Sequence, residues 1–446
     1  MSSEKKNRQR TIAVNALARV EGEGALHLVM DGSNVKEAKL RIYEPPRFYE
    51  AFLRGRDFRE VPDITARICG ICPIAYQTAS CYALEKAMDV FDDVQQLPGV
   101  QVMRDLMYCG EWIESHVLHM FMLHLPDFLG YESAISMAKD HGDTVKQALR
   151  LKKLGNQLVA VFGGRAVHPV GMCVGGFHRA PQQKNVLALV DETKACCDLM
   201  CELALFLAEN IDYPDMQRDY EFVSLCPENE YPMNLGRICS NKGLDVDQAD
   251  FGNQIQESQV EHSTALHSVI KRRGAYMVGP LARLNLNSDK LHPRAAELLP
   301  KVCKALGKSL PWQNNFLSLP ARALETVHAL ALAADLLAAY QRPTPSHVNI
   351  TPRAGHGAHG TEAPRGLCWH EYRTEEDGTI SMAHIMPPTA QNQLTIEADL
   401  REMAAQLVDM DDQAAALRCE HLIRNYDPCI SCSVHFLKFD RQFITQ

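Results

Sequence analysis

Two thiol pairs stand at opposite ends of this chain, and any fold must account for both. Cys69 and Cys72 lie in "RICGICP" (67–73), and Cys429 and Cys432 lie in "DPCISCSVH" (427–435). Between the pairs run 356 residues (73–428). A C-x-x-C pair lets two sulfurs meet one metal when its second cysteine opens a helix, where backbone amides also lower thiol pKa. Pro73, directly after Cys72, suits the first position of such a helix. Taken singly, either pair fits chance, a structural zinc half-site or a dithiol redox pair. Zinc pairs, however, usually sit about 15–20 residues apart. A thioredoxin-like pair belongs in a compact βαβ unit, which the pattern here does not offer. The three closely spaced cysteines of a [4Fe–4S] run are absent as well. Four thiolates drawn from both chain ends suit a soft metal held inside the fold.

The rest of the chain is compatible with such an interior. Its 446 residues are 46% hydrophobic and 23% charged, enough to bury a large core. A net charge of -9 argues against a nucleic-acid partner. The longest apolar stretch, "ALALAADLLAAY" (329–340), is short and carries Asp335, so no membrane span is expected. "MSSEKKNRQR" at the start reads as a flexible arm rather than a secretory signal. Fifteen cysteines, an odd number, point to a reducing, cytoplasmic setting.

Periodicity predicts strands over 11–18, 25–32 and 35–44, then helices between 85 and 160. A single long helix is expected over 181–209, an extended segment over 274–287, and a buried Ala/Leu-rich helix over 320–341. Strands and loops should return over 346–396, and a helix over 411–425 should deliver the chain to its last thiol pair. The expected fold is α+β and predominantly helical, with long buried helices and a mixed strand region from both chain ends. We read one unit over 1–446: a strand-rich part (1–45), a helical body (46–345), a part closing the metal site (346–435) and a tail (436–446).

The paired motifs resemble those of nickel–iron hydrogenase large subunits. "ALARVEGEGAL", "RFYEAFLRGRD", "SHVLHMFMLHLPDF", "FGGRAVHP", "EAPRGLCWH" and "PPTAQNQ" also resemble blocks of that family, in the family's order and over nearly the whole chain. "RICGICP" and "CSVHF" look most like the cytosolic multisubunit, sulfhydrogenase or NAD(P)-linked branch.

The resemblance implies a nickel bound by Cys69, Cys72, Cys429 and Cys432. Cys72 and Cys432 would bridge to an iron carrying carbon monoxide and cyanide. Arg365 would reach over the metals, Asp427 would orient it, and Pro364 would line the diatomic-ligand pocket. Glu21 would carry protons from Cys429, which suits a buried carboxyl. Glu50 and His435 would bind a second ion, magnesium or iron. Tyr76 replaces the family's usual histidine; one turn from Cys72, it could donate a hydrogen bond to sulfur. Glu23, where the family has histidine, adds a carboxylate near the proton route. His168 and His370 are expected to make core hydrogen bonds, as are His116, His119 and His124, whose helix the family pattern places towards a partner subunit.

The implied activity is reversible heterolytic cleavage of H2, with electrons leaving through an iron–sulfur small subunit and flavin/NAD(P) diaphorase subunits. Nickel-insertion factors and a maturation protease cutting after His435 are implied too. Rival readings are a hydrogen-sensing homologue, a quinone-reducing respiratory-complex relative, which usually lacks the four cysteines, and a zinc-stapled scaffold.

Overall fold

The computed structural model describes residues 9–434. Residues 1–8 and 435–446, and with them His435 and the expected cleavage point, lie outside this range.

The N-terminal β-rich segments form an antiparallel sheet of β1 (Gln9–Val14), β2 (Gly24–Asp31) and β3 (Asn34–Ile42), with β2 central. Residues on both faces of β2 are buried, because later elements cover the sheet. A short helix α1 (Tyr49–Leu53) follows, then α2 (Pro73–Ala87), which starts immediately after Cys72. Two long helices, α3 (Val100–Val117) and α4 (Gly142–Gly163), pack at a glycine crossing. A Cβ on Gly155 would meet the Gly110 carbonyl oxygen at 2.7 Å, so the backbones touch there with no room for a side chain.

The single helix expected over 181–209 is two. A turn of helix (Gln183–Leu187) closes when the Ala188 amide donates back to Lys184 and Val186, and α5 (Val190–Asn210) begins afresh. A hairpin of β4 (Ile255–Val260) and β5 (Ser263–Ile270) comes next. The extended reading of 274–287 fails at its second half, which is helix α6 (Pro280–Asn287). Gly279, at φ 119, turns the chain and Pro280 takes the helix's first position. Its Arg283 is buried among residues distant in sequence, a stabilisation that local periodicity does not register.

The Ala/Leu-rich helix α7 (Ser318–Ala339) is buried around most of its circumference, as expected. An antiparallel meander, β6 (Gly355–Ala363), β7 (Gly366–Thr374) and β8 (Ile380–Met386), follows. The strand-and-loop expectation for 346–396 ends early, because α8 (Pro388–Leu407) opens with Pro388 at its first position. This helix packs across β3 and β5. Helix α9 (Asp412–Asn425) and the turn α10 (Ile430–Ser433) complete the described chain.

About half of the residues are helical, in keeping with a predominantly helical α+β fold. The strand material from the two chain ends forms separate antiparallel sheets. What joins the ends is an isolated parallel bridge, Glu21 to Cys429, in which the Ile430 amide donates to the Glu21 carbonyl at 2.9 Å. A second tie is the Arg47 amide to the Val434 carbonyl, also 2.9 Å.

Candidate metal centre

The fold brings all four sulfurs together: their Sγ atoms lie within 4.8 Å of one another. Cys69 and Cys429 are 3.5 Å apart and Cys429 and Cys432 2.6 Å apart. None of the four residues is more than 3% exposed. Cys69 ends a short 3-10 turn, and its sulfur accepts the amides of Ile71 (3.3 Å) and Cys72 (3.2 Å). Cys72 caps α2. The helix start is held by Glu111, a residue the motifs did not mark, whose buried carboxyl accepts the amides of Ile74 (2.6 Å) and Ala75 (3.2 Å). Burial pushes that carboxyl well above the carboxylate range.

Charge within the cluster is unevenly shared. Hydrogen bonds from Cys429, Cys432 and Cys72 hold the Cys69 thiol well below the ordinary thiol range. Burial, together with the neighbouring sulfurs, raises Cys429. A metal taken up here would therefore displace protons from the raised thiols, since sulfur ligates as thiolate.

Arg365 and Pro364 form the tight turn between β6 and β7. Buried Arg283 fixes that turn by donating to the carbonyls of Ala363 (2.9 Å) and Pro364 (3.0 Å) while paired with Glu325 and Glu362. Arg365 is 2% exposed. Its Nε donates to the Asp427 carbonyl at 2.7 Å and its Nη2 to Asp427 Oδ1 at 3.1 Å. Burial opposes its charge, but Asp427 and the sulfurs of Cys429, Cys72 and Cys69 more than offset that, holding its pKa well above the ordinary arginine value. Arg365 Nη1 and Asp427 Oδ2 are buried without a protein partner. Unpaired polar atoms in so dry a place are costly unless a ligand meets them. Together with four convergent sulfurs, they fit a soft metal carrying small anionic or polar ligands.

Glu21 lies on the other side. Its Oε2 accepts from Cys429 Sγ and from the Ser431 amide, each at 3.1 Å. Glu23 is exposed. An unforeseen carboxylate, Glu44, accepts the Glu23 amide at 2.7 Å and the Ser431 hydroxyl at 3.2 Å. The Tyr76 hydroxyl is buried without a partner, so the hydrogen bond to sulfur expected of it is not formed. Its ring instead lies against His370, centroids 5.5 Å apart.

Glu50 Oε1 accepts the Ile385 amide at 2.7 Å, and burial raises its pKa to about 7. Beside Ile385, His384 pairs with Glu257 at 2.7 Å; motif spacing marked neither residue. The proposed companion ligand of Glu50, His435, follows Val434 out of the described residues.

His370 makes core hydrogen bonds with Ser80 (3.1 Å) and Tyr372 (2.8 Å), and His168 with the Ala66 carbonyl (2.8 Å). The three helix histidines are likewise buried in the core. His116 pairs with Glu325 at 3.0 Å, His119 bonds the Arg424 carbonyl at 2.7 Å, and His124 stacks between His119 and His421. All three are at most 2% exposed within this chain, because the helix bearing them is enclosed by α7 and α9.

Comparisons with known proteins agree with this geometry. The family model described as nickel-dependent hydrogenase matches residues 47–147 and 271–435, more than half of the chain. Sulfhydrogenase 1 subunit alpha of Pyrococcus furiosus is 33% identical over 436 residues, covering 97% of this chain and 100% of that protein. The NAD-reducing hydrogenase HoxS subunit beta of Cupriavidus necator is 25% identical over 469 residues, covering 96% of this chain and 95% of that protein. A solved structure of an NAD+-reducing [NiFe]-hydrogenase in the H2-reduced state superimposes with a TM-score of 0.85 at 25% identity, covering 96% of this chain and 99% of that one.

Proposed function

This chain belongs to the nickel-dependent hydrogenase family as a catalytic large subunit, and we propose that Cys69, Cys72, Cys429 and Cys432 are the ligands that hold its nickel–iron centre. The observation that carries this reading is the joint placement of four buried sulfurs, an Arg365 nitrogen without a protein partner and a carboxyl bonded to one of the thiols. A zinc staple would need only the sulfurs. When bound, the metals supply a Lewis acid for heterolysis of H2, and carbon monoxide and cyanide on the iron would lie against Pro364 and Arg365.

The protein residues then divide the work. Cys429 Sγ takes up the released proton, and Glu21 Oε2, 3.1 Å away, accepts it and passes it outward. Arg365 presents a fixed positive charge through Nη1, and Asp427 holds its plane in register through two hydrogen bonds. Glu50 and His435 would hold the second ion, magnesium or iron. The reaction yields two electrons and two protons from each H2. Electrons pass to an iron–sulfur small subunit and on to flavin/NAD(P) diaphorase subunits in the cytoplasm, in line with relatives named as sulfhydrogenase and NAD-reducing hydrogenase subunits. Among the described residues no helix is long and apolar enough to cross a membrane. The chain acts as one large-subunit unit. Nickel-insertion factors would load the site, and a protease would remove 436–446 after His435.

Infrared spectroscopy of the matured, nickel-replete complex tests this reading. Bands from iron-bound carbon monoxide and cyanide, clear of protein absorption, are expected. Their absence, with zinc in the thiolate site, would overturn it. Measured H2 turnover separates catalysis from hydrogen sensing.

A further inference from the structure

Away from the thiolates, the β4–β5 hairpin meets helix α8 at a second cluster of ligating groups. His262 lies in the hairpin turn, His267 on β5 and Glu397 on α8, and one ligand atom from each falls within 4.8 Å of the others. His262 Nε2 lies 2.8 Å from Glu397 Oε1, which also accepts the Leu40 amide from β3 at 3.0 Å. The two imidazoles meet edge to face, centroids 5.5 Å apart. His267 is 2% exposed, yet its Nε2 has no protein partner. That is an expensive arrangement for an imidazole with only structural duties.

We propose that His262, His267 and Glu397 form a separate site for a divalent zinc-type ion, which clips the β4–β5 hairpin to helix α8. Two imidazoles and one carboxylate are a recurrent zinc set, with water completing the tetrahedron. Tetrahedral ligands at about 2.0–2.1 Å from zinc stand roughly 3.3 Å apart, within the present spread, so small rotamer changes suffice. Magnesium and calcium, which take oxygen ligands, are poorly served. The other histidine cluster, His124, Asp127 and His421, differs in a decisive way: both oxygens of Asp127 are committed to guanidinium groups of Arg19 and Arg424, whose charges repel a cation.

The site is distinct from the thiolate centre. The Thr389 hydroxyl accepts the Cys429 amide at 3.0 Å, and Glu397 follows eight residues later on the same helix, about 12 Å further along. The two are nonetheless mechanically connected. Ala265, on the clipped strand, packs with Ile430 and Val434, which flank Cys432. Holding the hairpin steadies the wall against which the last thiol pair closes.

The test uses the matured complex, so that nickel already fills the four thiolates. Zinc is added, excess is dialysed away, and metal content and zinc-edge X-ray absorption are measured. One retained zinc per chain with a nitrogen/oxygen shell at about 2.0–2.1 Å is expected. His267→Phe and His262→Gln should each weaken zinc binding at least about 100-fold with nickel content unchanged. His262→Gln keeps a donor for Glu397 and guards against a folding artefact. No retained zinc, a sulfur shell at about 2.3 Å, or unaltered binding in both variants would overturn the site.

Discussion

Replacing Glu21 by glutamine isolates the proton-carrying step. The side chains are nearly isosteric, and the amide oxygen of the Glu21→Gln variant could still accept the Ser431 amide that Oε2 now receives at 3.1 Å. The backbone bridge between Glu21 and Ile430 does not involve the side chain. The structural cost is therefore the difference between a charge-assisted and a neutral hydrogen bond, about 1 kcal/mol. In a chain of 446 residues that is a shift in Tm of only a few degrees at most. The kinetic cost is of another order, because an amide cannot take the proton that the Cys429 thiol offers at 3.1 Å. Positioned proton transfer contributes about 10²–10⁴ in rate, equivalent to roughly 3–5 kcal/mol of barrier. Hydrogen–deuterium exchange by the matured complex should fall by that factor, while nickel content and the infrared bands stay in place. Exchange within tenfold of the unaltered protein, with nickel retained, would refute the relay.

Two further outcomes follow from the geometry. Arg365→Lys loses the two-point contact with Asp427 and the Nη1 donor, so H2 turnover should drop about 10²–10³-fold at unchanged nickel content, read by H2 uptake and metal analysis; retained turnover would remove Arg365 from the mechanism. Burial is the main force lowering His116 to about 4 and His421 to about 3, both below the ordinary 6.5. Folded-state pKa values below the unfolded one mean that this stability is complete above pH 6.5 and lost as pH falls towards 3, so unfolding temperature should decline steeply below about pH 6 in scanning calorimetry; a flat profile down to pH 4 would contradict the buried, neutral state of these rings.

The centre was unusually legible because its parts fall in short linear motifs. The structure brings Cys69, Cys72, Cys429, Cys432, Arg365, Asp427 and Glu21 together. The supports were not legible. Arg283 and Glu325 come from distant segments and carry no local signature, yet their ion pair, with Glu362 of the "EAPRGLCWH" block, sets the turn that holds Arg365. Glu111 looks like one more polar helix residue until Ile74 and Ala75 are seen above it. Helix α6 has no local signature because its reason for being helical is tertiary, whereas Pro388 at the first position of α8 is a local signal, since proline suits a helix's first turn. For the histidines of 116–124, helical spacing gives a face but not what lies against it, which is α7 and α9.

The distance along the chain between the two thiol pairs also sets a clock. Cys69 and Cys429 are separated by 360 positions. Closing a loop of that length costs about 5 kcal/mol in chain entropy. At about 5–20 residues per second of synthesis, the first pair would wait roughly 20–70 s for its partners to exist at all. Throughout that interval Cys69 and Cys72 stand without the two sulfurs that the fold later brings beside them. The Glu21–Ile430 and Arg47–Val434 hydrogen bonds are the latch that ends the wait. The four-sulfur cluster therefore cannot assemble before residue 432 has been made.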